Sequence, residues 1–131
     1  MLIKHLLEHK TTITVCAFVY TVVLLVLSFS RLEKLPDTSS LEGDKVFHFL
    51  AYMVFTALWF FALKALFKFN FNKTIWLTMV VAFIFGIIVE YLQNELTTFR
   101  SADVKDVIAN TLGILTTSGV MVLNKKRHVK K

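Results

Sequence analysis

Four stretches of this chain are each long and apolar enough to cross a membrane, and together they take up most of its 131 residues. A helix needs about 20 predominantly apolar residues to span the hydrocarbon core. The first stretch, residues 11–30 (TTITVCAFVYTVVLLVLSFS), carries no charge. The second, residues 46–66, is interrupted only by His48 and Lys64, and the third, residues 74–92, only by Glu90. The fourth, residues 104–123, holds Lys105, Asp106 and Asn110 in its first two turns. Lipid offers no hydrogen bonds to an exposed backbone, so runs of this length are read as helices in spite of their many β-branched residues. The spacing predicts an all-α polytopic membrane protein, a four-helix bundle forming one domain over residues 1–131. The short connections leave no room for a soluble domain.

The alternative for the first stretch is a cleaved signal peptide, with Lys4 and Lys10 before it and Ser28-Phe29-Ser30 as a cleavage triplet. Its apolar run exceeds the usual length of about 7–15 residues, and a retained span is expected. Hydrophobic residues make up 56% of the chain, which excludes disorder. Cys16 is the only cysteine, which excludes an internal disulfide framework.

The net charge of +6 would suit a nucleic-acid partner if the cations formed a free basic surface. Instead they sort by side. The N-terminus, the connection between spans two and three, and the C-terminal NKKRHVKK tail carry ten of the 15 lysines and arginines. The other side carries Arg31, Lys34, Lys45, Arg100 and Lys105 with eight of the nine acids. By the positive-inside rule both termini are expected in the cytoplasm of a bacterial cytoplasmic membrane, with loops one and three outside. The basic tail then serves as a topology anchor touching anionic lipid, and no nucleic-acid partner is expected.

Polar groups inside the spans gather at that outer end. At 100° per residue, Asp103, Asp106, Asn110, Gly113 and Thr117 share one face of the fourth helix. Asp44, Lys45, His48 and Tyr52 share a face of the second, and Gly86, Glu90 and Gln93 a face of the third. Arg100 lies in the loop joining the last two. An intramembrane ionisable residue points to a functional site by default. The rival is structural glue, but intramembrane hydrogen bonds average only about 0.6 kcal/mol, a poor return on so many buried polar groups. His48, Glu90, Asp103 and Asp106 are acceptable metal ligands by type. No HExxH, paired-histidine or cysteine spacing accompanies them, so neither metal nor cofactor is expected. Nor does a nucleophile elbow surround Ser101.

The string DKVFHFLAY, FGIIVEYLQ, Arg100 and DVKDVIANTLG resembles the VanZ-like family of small bacterial membrane proteins over residues 44–117. Lys45, His48, Glu90, Gln93, Arg100, Asp103, Asp106, Asn110 and Gly113 all match the family pattern. The resemblance implies a bacterial inner-membrane protein linked to the cell envelope, the name-giving member being associated with low-level teicoplanin resistance. It establishes no reaction.

Two functions are therefore expected to compete. In the first, Lys45, His48, Glu90, Gln93, Arg100, Asp103, Asp106 and Asn110 bind a lipid headgroup, a lipid-linked cell-wall precursor or a lipoglycopeptide, with Lys45 and Arg100 taking anionic groups. In the second, the protein is a membrane enzyme acting on a lipid-linked substrate at the outer leaflet. Its catalytic candidates are His48, Glu90 and Asp106, with His48 or Glu90 as acid or base. A coupled transporter fits less well, because the polar stripes stop about halfway along the helices.

Overall fold

The computed structural model describes residues 4–5, 8–30, 41–97 and 103–129, with 41–44 as backbone alone. Four long helices account for nearly all of these: α1 (Lys10–Phe29), α2 (Leu41–Phe67), α3 (Phe71–Leu96) and α4 (Val104–Val129). Each is long and apolar enough to cross a membrane. No strand occurs among the described residues. The helices overrun the expected spans, most clearly at Leu41, Leu96 and Val129. Hydropathy marks only the apolar part of a helix. The polar ends LEGDK, NEL and NKKRHV lack a proline, so nothing sterically stops the helix where the lipid ends.

α2 is the hub, touching α1, α3 and α4, most extensively α4. It packs tightly on α4 at Gly113. A Cβ there would lie 2.3 Å from the Phe49 carbonyl oxygen, so only glycine lets the two backbones come together. One turn on, Thr117 Oγ1 donates to the Met53 carbonyl at 3.0 Å. α1 is tied to α2 by Tyr20 Oη donating to the Ala51 carbonyl at 2.6 Å and by Trp59 Nε1 donating to Thr21 Oγ1 at 3.0 Å. The core between the helices is Leu24, Ala51, Tyr52, Phe55, Ala82 and Ile114, with Phe55 and Phe85 stacked at 4.8 Å.

The outward faces are almost wholly aliphatic and aromatic, including Val19, Val22, Trp76, Val80, Ile84, Ile88, Ile108 and Val120. So much apolar exposure on every helix is the surface of a protein dissolved in lipid. Threonines are accommodated by bonding back within their own helices. The hydroxyls of Thr14, Thr21, Thr56, Thr78, Thr111 and Thr116 each donate to the carbonyl four residues earlier, which removes their desolvation cost.

The turn between α2 and α3 is short. Lys68 takes the left-handed conformation (φ 53°) and its N–H closes on the Lys64 carbonyl at 3.0 Å, a left-handed helix stop built without glycine. The Lys64 ammonium bonds the Phe69 carbonyl at 2.6 Å, and Asn70 caps α3 by accepting from the Lys73 N–H at 2.8 Å. This hairpin brings the start of α2, the end of α3 and the start of α4 to one end of the bundle.

Candidate functional site

At that end a polar cluster is enclosed between α2, α3 and α4. Helical spacing explains its composition. His48 and Tyr52 are one turn apart on α2, Gly86 and Glu90 one turn apart on α3, and Asp106 and Asn110 one turn apart on α4, so each helix sends one face inward. His48, Tyr52, Glu90, Gln93, Asp106 and Asn110 are all buried.

Lys45 stands at the mouth. Its ammonium donates to Asp103 Oδ2 at 2.9 Å and also to Asp106 Oδ1, joining the start of α2 to the start of α4. Asp103, partly exposed, also accepts from the Lys105 N–H at 2.9 Å. The Lys45 ammonium and that backbone donor hold the Asp103 carboxyl below the usual carboxylate range. Deeper in, His48 lies between two acids, with Nε2 3.6 Å from Asp106 Oδ2 and 3.9 Å from Glu90 Oε1. Its other nitrogen, Nδ1, is 3.1 Å from Asn110 Oδ1. An amide oxygen only accepts, so Nδ1 carries the hydrogen and Nε2 is the nitrogen turned to the carboxylates.

The floor of the cluster is shaped by Gly86. A Cβ at that position would lie 3.2 Å from both Asn110 Nδ2 and Tyr52 Cε1, so the missing side chain makes room for the two polar groups. Neither Asn110 Nδ2 nor the Tyr52 hydroxyl has a hydrogen-bond partner among the described residues, although both atoms are buried.

The structure thus brings together six of the eight ligand-binding candidates: Lys45, His48, Glu90, Asp103, Asp106 and Asn110. Gln93 is buried one turn beyond Glu90, where its Nε2 donates to the Ser28 carbonyl at 2.6 Å and ties α3 to the end of α1. Arg100 and Ser101 lie outside the described residues, as does the Asp44 side chain. Lys45, expected to take an anion, is instead shared by two carboxylates. Ser28 is a buried partner that sequence reading missed, because its contribution is a backbone carbonyl with no signature of its own.

Chemically, the arrangement offers an imidazole and two carboxylates within 4.8 Å of one another in a site screened from lipid and largely from water. Such a set can exchange a proton, hold a cation or accept hydrogen bonds from a polar head. No curated protein and no solved structure matches the chain. A family model does match, that of VanZ/LLP1, over residues 8–125, which takes in α1, α2, α3 and nearly all of α4. With the family matched across almost its whole length and four spans in the fold, this chain is a multi-pass membrane protein and belongs to the VanZ/LLP1 family.

Proposed function

We propose that this protein acts at the outer face of the bacterial cytoplasmic membrane, with both termini inside. Its polar cluster binds the head of an envelope amphiphile: a lipid headgroup, a lipid-linked cell-wall precursor or a lipoglycopeptide. One observation carries the reading. Four buried side chains from three separate helices, His48, Glu90, Asp106 and Asn110, converge at the end of the bundle where the connecting loops are acidic. Burying that many polar groups is costly unless they serve a purpose beyond holding helices together. Because Lys45 is shared by Asp103 and Asp106, the described part of the cluster favours ammonium, hydroxyl and amide donors over a bare phosphate.

A catalytic form of the same site is supported by the position of His48 between Glu90 and Asp106, suited to moving a proton to or from a lipid-linked substrate. The test begins with lipid co-purifying with the wild type and with Asp106→Asn, identified by mass spectrometry. Lipoglycopeptide susceptibility of cells expressing each variant at matched abundance is measured in parallel. Asp106→Asn keeps an oxygen for Lys45, and Lys45 keeps Asp103, so the variant is expected to fold yet lose both retention and protection. Loss only in proportion to lost folded protein would make the cluster structural. Chemical conversion of the retained lipid by wild type alone would select the enzyme.

A further inference from the structure

The other end of the bundle, where α3 begins and α4 finishes, is basic. Residues 45–89 and 107–131 contain neither Asp nor Glu, while residues 64–73 carry three lysines and residues 124–131 five lysines and arginines. On α4 the order Val122-x-x-Lys125-Lys126-x-x-Val129 sets two cations between apolar residues one turn away on either side. That face meets the first turn of α3. Phe71, Asn72, Val122, Lys125, Lys126 and Val129 together line a crevice of about 510 Å³. Small-molecule sites typically occupy about 300–1,000 Å³. The apolar wall is firm, because the Phe71 ring stands edge-to-face on buried Phe60 of α2 with centroids 5.4 Å apart. The Lys125 ammonium lies 4.5 Å from the centroid of the Phe71 ring and 3.5 Å from Asn72 Oδ1. These contacts lay its stem along the crevice and leave its positive charge unneutralised. Lys126 also borders an adjoining groove of about 420 Å³ with Leu123 and Arg127, so positive charge continues across the end of α4.

We propose that this crevice binds one anionic glycerophospholipid, with its phosphate between Lys125 and Lys126 and the start of its acyl chains against Phe71, Val122 and Val129. α3 and α4 are each long and apolar enough to cross a membrane, which sets the crevice at the level of the head groups. Two lysines in a stretch without acids select the charge of the head, and the apolar wall selects an anion that carries chains over one that does not. Basic hollows between transmembrane helices hold acidic head groups in this way. A topology anchor needs only the charge of the tail; a walled crevice adds a defined seat for one molecule. The site lies at the opposite end from the polar cluster and does not depend on what that cluster does.

The test uses the full chain in detergent, titrated with phosphatidylglycerol or with phosphatidylcholine of the same chains, and counts retained lipid by native mass spectrometry. One saturable phosphatidylglycerol is expected, with phosphatidylcholine held at least tenfold more weakly. At about fivefold for each lysine, Lys125→Gln with Lys126→Gln should weaken phosphatidylglycerol binding roughly thirtyfold. Both side chains are exposed, so this variant should melt as the wild type does. Lys4→Gln with Lys10→Gln removes the same charge from the N-terminal segment, outside the crevice, and should change binding less than twofold. Val122→Trp fills the crevice without altering charge and should weaken binding at least fivefold. Equal retention of the two lipids overturns the proposal. So do equal losses in the two double-lysine variants, which would mark a diffuse basic surface with no seat in it.

Discussion

His48 on α2 and Asn110 on α4 meet at 3.1 Å, and this contact commits Nδ1 of the imidazole to the amide oxygen. Through it a buried amide of α4 engages the one histidine in the cluster. A histidine with two usable nitrogens gains a defined role only when one of them is committed.

Asn110→Ala is therefore expected to do two things. Removing the acceptor leaves a buried ring N–H unsatisfied, which should cost about 1–3 kcal/mol and lower the melting temperature in detergent. It should also release Nδ1, so that the nitrogen-15 shifts of the His48 ring report a change in which nitrogen carries the hydrogen. An unchanged tautomer in Asn110→Ala would show that something other than this amide orients the ring.

The glycines of α4 separate two effects that are usually confounded. Gly113→Ala would place a methyl against the Phe49 carbonyl and force α2 and α4 apart, for an expected loss of about 1–3 kcal/mol. At Gly119 nothing lies within 4 Å of a new Cβ, so Gly119→Ala should be neutral or stabilise by up to about 1 kcal/mol through helix propensity. Melting curves of the two variants at equal detergent should move in opposite directions, or one should not move at all. Equal losses would mean that helix packing at Gly113 is looser than its geometry implies.

Lys68 holds a left-handed conformation that a glycine adopts without steric cost. Lys68→Gly is expected to stabilise the α2–α3 hairpin by roughly 0.5–1 kcal/mol, read from thermal or denaturant unfolding. A loss of stability would indicate that its side chain contributes more than the backbone strain costs.

The proposed orientation has its own test. In a Cys16→Ser background, single cysteines at Ser40 and Thr98 should react with an impermeant thiol reagent in intact cells, and one at Asn70 should not. The reverse pattern would put the cluster on the cytoplasmic side and overturn an outer-leaflet role.

Much of this arrangement is legible in the amino-acid order because a membrane leaves few alternatives. Lipid demands helices, apolar run length counts them, and the periods linking His48 to Tyr52, Glu90 to Gly86 and Asp106 to Asn110 show which faces turn inward. Helix ends were less legible, since hydropathy falls at the lipid boundary while α3 continues to Leu96 and α4 to Val129. Pairing was least legible. Lys45, Glu90 and Asp106 could be placed at one end from sequence, but the choice of Asp103 and Asp106 for Lys45 depends on the rotation of α2 against α4, set by the fit of Gly113 on Phe49. Gln93 carried the same helical signal as Glu90, and only packing assigns its amide to the Ser28 carbonyl.

The contact of Gly113 with the Phe49 carbonyl has one more consequence. One turn beyond Asn110 the backbones of α2 and α4 touch, and beside and below that contact the rings of Tyr52, Phe55 and Phe85 fill the bundle from α2 to α3. Among the described residues the polar cluster is thus closed toward the middle of the bundle, and under the proposed function an amphiphile head that enters beside Lys45 has to leave beside it as well.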